Sequence, residues 1–265
     1  MKTRLIVLFI AILLVSLVFT CLSYGKISPA SAVGVWLFNE GKGNTANDAS
    51  SKGNNGTLKN GPAWVDGKFG KAIQFDGVDD YVDIADNDKL SGGDGKKLSV
   101  VAWFKTTKIE GTDNTPIITK YLDAAQKDWG LTVDTGKLKF AFESAAAVDF
   151  EVNAPSMGGV VELDKWYHGA FALDGTNVKV YLDGVEVASA KMPAETPNTN
   201  VNVAIGSVVY RNNYFRGIID DVGVFNATLS KEDILDVMSN GLESALAVSS
   251  MGKLPIAWGK VKTQY

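Results

Sequence analysis

The sequence predicts a two-sheet antiparallel β-sandwich carrying one short helix. Short runs rich in β-branched and aromatic residues recur along the chain, each closed by Gly, Asp or Asn. Several connections between them have the chemistry of tight hairpin turns. Beyond the N-terminal segment, one stretch alone carries the apolar spacing of an amphipathic helix. About a dozen short strands with a single helix bury their apolar faces by packing sheet on sheet.

The N-terminus stands apart from this pattern. Lys2 and Arg4 precede an apolar run over 5–19 and then small and polar residues, the order of a secretory signal peptide. The run is shorter than the roughly 20 apolar residues of a spanning helix. Small residues at Ser23 and Gly25 place cleavage after Gly25, with Ala30-Ser31-Ala32 as the alternative. The chain then divides into a signal at 1–25, one domain at 26–241 and a C-terminal segment at 242–265. Cys21 leaves with the signal. Lipidation of Cys21 is disfavoured, because Val18-Phe19-Thr20 lacks the small residue wanted before the cysteine; retention as an N-terminal anchor is the other alternative. The expected location is secreted or at the cell surface, with no membrane span after cleavage.

Strands follow at 34–39, 72–75, 81–84, 98–105, 115–121, 129–133, 137–143, 166–173, 178–182, 185–189, 201–205 and 215–225. Asp134-Thr135-Gly136, Asp174-Gly175 and Asp183-Gly184 are turn signals, since Asp and Gly tolerate the positive φ of tight hairpins. Around Asp183-Gly184 the alternation puts Val178, Val180 and Leu182 on one face and Lys179 and Tyr181 on the other. The helix begins at Ser230, with Asp233 at the capping-box offset and Ile234, Val237 and Met238 as its apolar stripe; Asn240-Gly241 ends it. Residues 242–265 contain Ile256 and Trp258 and read as a strand folding back on the sandwich, or else as a sorting or docking peptide.

Composition narrows the function. The chain has 265 residues, 46% hydrophobic and 21% charged, with a formal net charge of −4, which is globular and lacks the basic footprint of a nucleic-acid binder. One Cys and one His exclude Cys/His zinc clusters and internal disulfides and leave His168 as the one histidine available for catalysis.

Ordered motifs then carry a resemblance. Gly34-Val35-Trp36-Leu37-Phe38-Asn39-Glu40-Gly41 is followed by the turn-rich stretch from Asn47-Asp48 to Gly56-Thr57-Leu58. Gly67-Lys68-Phe69-Gly70-Lys71-Ala72-Ile73-Gln74-Phe75-Asp76-Gly77 and the hairpin from Trp166-Tyr167-His168 to Asp183-Gly184 come next, and Ile218-Ile219-Asp220-Asp221-Val222 closes the series. Over 34–241 the chain resembles the laminin-G-like jelly-roll domains of the concanavalin A-like lectin/glucanase superfamily. The resemblance implies a jelly roll that binds ligands or serves structure, with carbohydrate or a cell-surface protein as partner.

Retaining glucanases of that superfamily set two carboxylates across the scissile bond from a Glu-x-Asp-x-x-Glu strand. The nearest segment here, Glu162-Leu163-Asp164-Lys165-Trp166-Tyr167, has no third acid, so the expected function is a non-catalytic binding module. Calcium wants six to eight oxygens. The loop 43–48 offers such donors, and the resemblance implies that Asp220 or Asp221 comes beside it. Asp48 and Asp220 are the expected ligands, because Ile218 and Asp220 share a face opposite Ile219 and Asp221; turn capping by Asp48 is the alternative. For the ligand itself, Tyr210, Arg211, Asn212, Asn213 and Tyr214 join aromatic faces to planar hydrogen-bonding groups, and Trp129, with Lys120 and Tyr121 on its hairpin, is expected to reach the same face. The alternative is that Tyr214 and Phe215 anchor the loop to the core. Trp36, Phe38, Phe75, Trp103, Trp166 and Phe225 are assigned to the core by their alternation.

Overall fold

A computed structural model describes residues 27–91, 97–109, 115–123, 126–143, 149–153, 160–192, 198–208 and 211–247. The expected signal peptide with Cys21, the site residue Tyr210 and the segment 248–265 lie outside the described residues.

In chain order the strands are β1 (Ala32–Trp36), β2 (Thr45–Ala46), β3 (Gly56–Lys59), β4 (Ala63–Asp66), β5 (Lys71–Asp76), β6 (Tyr81–Ile84), β7 (Leu98–Thr106), β8 (Thr115–Asp123) and β9 (Gln126–Asp134). They continue with β10 (Lys137–Glu143), β11 (Asp149–Asn153), β12 (Tyr167–Leu173), β13 (Asn177–Leu182), β14 (Val185–Lys191), β15 (Val203–Ile205), β16 (Ser207–Val208), β17 (Asn213–Tyr214) and β18 (Arg216–Phe225), and the helix α1 spans Lys231–Leu246. One sheet runs β14-β13-β12-β7-β18-β5-β4, with β1 also paired to β18. The other runs β11-β10-β9-β8-β15-β6-β3-β2, and β16 and β17 form a separate hairpin. All pairings among the named strands are antiparallel.

Local chemistry accounts for the connections. Asp183 and Gly184 take φ of 50° and 72°, and Thr135 and Gly136 take 48° and 78°, the left-handed pairs that a two-residue turn needs to match the strand twist. The Asp183 carboxylate also accepts the His168 amide at 2.8 Å, fixing where β13 turns back. Val178, Val180 and Leu182 face the interior and Tyr181 the opposite side, as the alternation predicts.

Between the sheets Trp36, Phe38, Phe75, Phe104, Trp129, Phe140, Phe171 and Phe215 form the main core. A second apolar layer lies on the outer side of the first sheet, where Ile234, Val237 and Leu242 of α1 cover Val101, Ala170, Tyr181 and Phe225. Burying each of those three helix side chains contributes about 1.5–3 kcal/mol to docking α1 on the sandwich. Of the aromatics assigned to the core, Phe225 instead belongs to this outer layer, and Trp103 and Trp166 meet on the same outer side in an edge contact at 6.4 Å.

The helix starts with the expected capping box, Ser230 accepting the Asp233 amide and Asp233 accepting the Ser230 amide. Gly241 breaks it at φ 78°, but another turn follows to Leu246. Residues 242–246 are therefore helical, where the sequence suggested the approach to a further strand. The reason is long-range: the Leu242 amide is caught by the Asp221 carboxylate at 2.8 Å.

β18 departs from simple alternation at the same place. Its register against β7 shifts between Asp220 and Gly223, and Asp221 has φ 44°. Ile219 and Val222 both enter the core, so Asp220 and Asp221 both turn to the outer side. The expectation that these neighbours face opposite ways is corrected by this bulge.

Candidate functional site

The β16–β17 hairpin is built onto the outward face of the second sheet. Thr119 on β8 donates its hydroxyl to the Ser207 carbonyl at 2.7 Å, and Val208 packs on Tyr121 and Ala141. Phe215 follows directly, fully buried and edge-on to Phe75 at 6.2 Å. Phe215 is thus the loop's anchor. Tyr214 stays half-buried, as does Asn213, while Arg211 and Asn212 are exposed at the turn. The four described members of the expected ligand loop are therefore together on one hairpin.

Trp129 does not join them. It is 0% exposed, its indole N–H donates to the Leu90 carbonyl at 2.7 Å, and its ring packs against Phe171. Trp129 alternates with Asp128 and Gly130 and takes the inward side with Leu131 and Val133. Lys120, opposite it in register, is also fully buried, its ammonium 2.9 Å from both Asp86 and Asp128. Tyr121 turns outward, lying across Gly130 with its hydroxyl donating to the Ala141 carbonyl at 3.0 Å.

The aromatic partner of Tyr214 is Tyr81 on β6. Their ring centroids are 6.5 Å apart and the planes are inclined by 42°. Val82 and Ile84 fill the core, so Tyr81 and Asp83 share the outward face, both half-buried. Asp83 accepts from the Asn202 side-chain amide at 2.9 Å and has the Lys59 ammonium at 3.8 Å. Asn202 in turn accepts the Asp86 amide at 3.1 Å, so the polar edge of the patch is held rigid. Burial first, then the neighbouring Asp83 and Tyr214, push the Tyr81 hydroxyl above its ordinary pKa. The sequence carried a signal for Tyr81, its alternation with Val82 and Ile84, but nothing local shows that Tyr214 will arrive beside it.

The calcium ligands expected from the sequence do not fit an ion. Asp48 Oδ1 accepts the Val35 and Ser50 amides, both at 2.9 Å, and Oδ2 accepts the Ser50 hydroxyl at 2.8 Å and the Asn54 amide at 2.9 Å. A carboxylate has about four lone-pair sites, and here all are filled by donors. Asp48 here serves as a turn clasp, the alternative that its sequence position offered. Asp220 accepts the Phe69 amide at 2.9 Å and the Asp221 amide at 2.8 Å, closing the 67–70 loop over the sheet. Burial raises the Asp220 pKa to about 7 and that of Asp221 to about 6. Elsewhere Asp76, Asp79 and Asp80 bring oxygens within 4.8 Å of one another on the turn before β6. Asp76 accepts the Val78 amide at 2.8 Å and Asp80 the Asp76 amide at 3.1 Å, which are the bonds of a self-capped turn.

His168 is 0% exposed on the outer side of the first sheet, 5.4 Å from the Trp103 ring, and burial holds its pKa down at about 3. No substrate can reach it there, and it stays neutral throughout the physiological range. Glu162 and Asp164 are exposed ahead of β12.

The two antiparallel sheets and their strand order define a concanavalin A-like jelly-roll sandwich. The chain belongs to the concanavalin A-like lectin/glucanases superfamily: the profile of a laminin G family in it matches residues 76–235. No curated protein matches the chain. Among solved structures it is similar to the binding domain of Paraclostridial Mosquitocidal Protein 1, with TM-score 0.65 and 13% identity over 79% of this chain and 52% of that one. It is also similar to domain 4 of AbnA, a GH43 extracellular arabinanase from Geobacillus stearothermophilus solved in complex with arabinotriose (TM-score 0.61, 21% identity, 79% of this chain and 98% of that one). A third is the receptor binding domain of a botulinum neurotoxin C/D mosaic serotype (TM-score 0.60, 15% identity, 79% and 51%). The chain spans about half the length of the two toxin domains and nearly all of the arabinanase domain. At these identities the likeness is one of fold. No helix among the described residues is long and apolar enough to cross a membrane.

Proposed function

We propose that the protein is a secreted, non-catalytic carbohydrate-binding module whose site is the outward face of the second sheet around Tyr81 and Tyr214. The observation that carries this reading is the pair of half-buried tyrosines flanked by Asp83 and Asn202. Sugars expose apolar C–H faces beside hydroxyls, so an aromatic ring next to fixed donors and acceptors meets both. The similarity in length and fold to an arabinanase domain solved with arabinotriose supports a sugar as ligand. Secretion rests on the Lys2, Arg4 and apolar 5–19 pattern. Calcium is left out of the site because Asp48 has no lone pair to offer one.

A second reading, a protein-adhesion module, is favoured by the similarity to toxin receptor-binding domains. A glycan array probed with the chain from Lys26 onward, with and without chelator, separates the two. Retention of a defined glycan set in both conditions supports the sugar reading. Silence across the array favours adhesion, and release of reducing sugar from a bound glycan would reinstate catalysis.

A further inference from the structure

The inclination of the two tyrosines, taken with the charge beside them, selects among glycans; this step rests on the sugar-binding reading above. The strands that carry Tyr81 and Tyr214 are anchored from opposite sides, β6 by the core contacts of Val82 and Ile84, and β17 by its register against Ser207 and by buried Phe215. With planes 42° apart and centroids 6.5 Å apart, no flat surface lies on both rings at once. A crystalline polysaccharide presents such a surface, with successive sugars coplanar. A soluble chain whose successive sugars are turned relative to each other can present one ring to each tyrosine.

Charge restricts the sugar type. The group best placed to bond sugar hydroxyls is Asp83, an acceptor on the same face as Tyr81, and the ammonium of Lys59, opposite Tyr81 in register, lies 3.8 Å from it. Asp76 and Asp79 are exposed on the turn leading into β6. A carboxylate-bearing sugar placed over Tyr81 would meet the like charge of Asp83, whereas a neutral diol donates to it. We propose that the Tyr81–Tyr214 face binds a single, twisted chain of neutral sugars, reading at least two successive units, and rejects both flat crystalline surfaces and uronate chains.

The test is native affinity electrophoresis in gels cast with soluble arabinan, xylan, mixed-linkage glucan or polygalacturonate, alongside sedimentation with microcrystalline cellulose and chitin. The expected result is retardation by at least one neutral polymer, none by polygalacturonate, and no co-sedimentation. Tyr81→Ala and Tyr214→Ala should each weaken the retarding interaction 10-fold or more, and the Phe variants should keep most of it. Asp83→Asn should weaken neutral binding while allowing polygalacturonate to retard the protein. Circular dichroism melts on each variant confirm that it is folded before it is scored. Tyrosine-dependent binding to cellulose, chitin or polygalacturonate by the unmodified protein would overturn this proposal and leave the sugar-binding reading standing. Neutral binding that survives both alanine variants would also overturn it. Failure to bind any of the polymers, together with a silent glycan array, would remove the sugar-binding reading itself.

Discussion

Replacing Asp48 with alanine separates a turn clasp from a metal ligand. The change removes acceptors from four donors, of which the Val35 and Asn54 amides belong to buried residues and the Ser50 amide and hydroxyl to a half-exposed one. Leaving a buried donor unpaired costs about 1–3 kcal/mol, and the Ser50 groups recover water, so the loss should be about 3–5 kcal/mol. For a domain of this size that corresponds to a fall in Tm of about 10 °C. Asn54 also donates its side-chain amide to the Val33 carbonyl and accepts the Trp36 indole N–H on its backbone carbonyl, so the loosened turn is next to β1 and the core. The assay is urea unfolding followed by tryptophan fluorescence, in calcium and in chelator, for the wild type and for Asp48→Ala. The loss should be the same in both solutions. A wild type stabilised by calcium whose increment disappears in Asp48→Ala would refute the lone-pair argument, and a loss below about 1 kcal/mol would refute the clasp.

Three other outcomes follow from buried groups. His168 has a folded pKa of about 3 against 6.5 for the free side chain, so its contribution is fully present above pH 6.5 and is lost as pH falls toward 3. Between pH 7 and pH 4.5 the wild type should lose about 2–3 kcal/mol that His168→Phe does not, read from urea midpoints at the two pH values. Asp220 has the opposite sign: its folded pKa of about 7 lies above 3.8, so folding is penalised increasingly as pH rises through that interval. Relative to wild type, Asp220→Asn should therefore gain stability from pH 4 to pH 8, and a constant difference would contradict it. Trp129→Phe should cost about 2–3 kcal/mol through the lost bond to Leu90 and the smaller ring, while leaving affinity for any identified glycan unchanged in titration calorimetry.

What the sequence determined by itself is what neighbouring residues can settle. The Asp183-Gly184 and Thr135-Gly136 turns, the capping box at Ser230 and the two-sidedness of β13 depend on backbone freedom and bonds spanning a few residues, and all were legible. The ordered motifs also fixed the superfamily and hence the sandwich. Which side of a strand is covered was decided only by the tertiary structure. Trp129 and Tyr81 both alternate with residues of contrary polarity, yet the sheet packing turns Trp129 inward onto Phe171, and Tyr81 outward to meet Tyr214. At Asp220 and Asp221 parity itself fails, because β18 must serve β5 and β7 along one half and β1 and β7 along the other, and it absorbs the change in a bulge. Asp48 is the same lesson in polar form: its partners on Val35 and Asn54 come from β1 and from beyond the turn, so its choice between donors and a cation is made when those backbones close around it. Periodicity gives a strand two faces, and only the other sheet, arriving from far along the chain, decides which of them meets water.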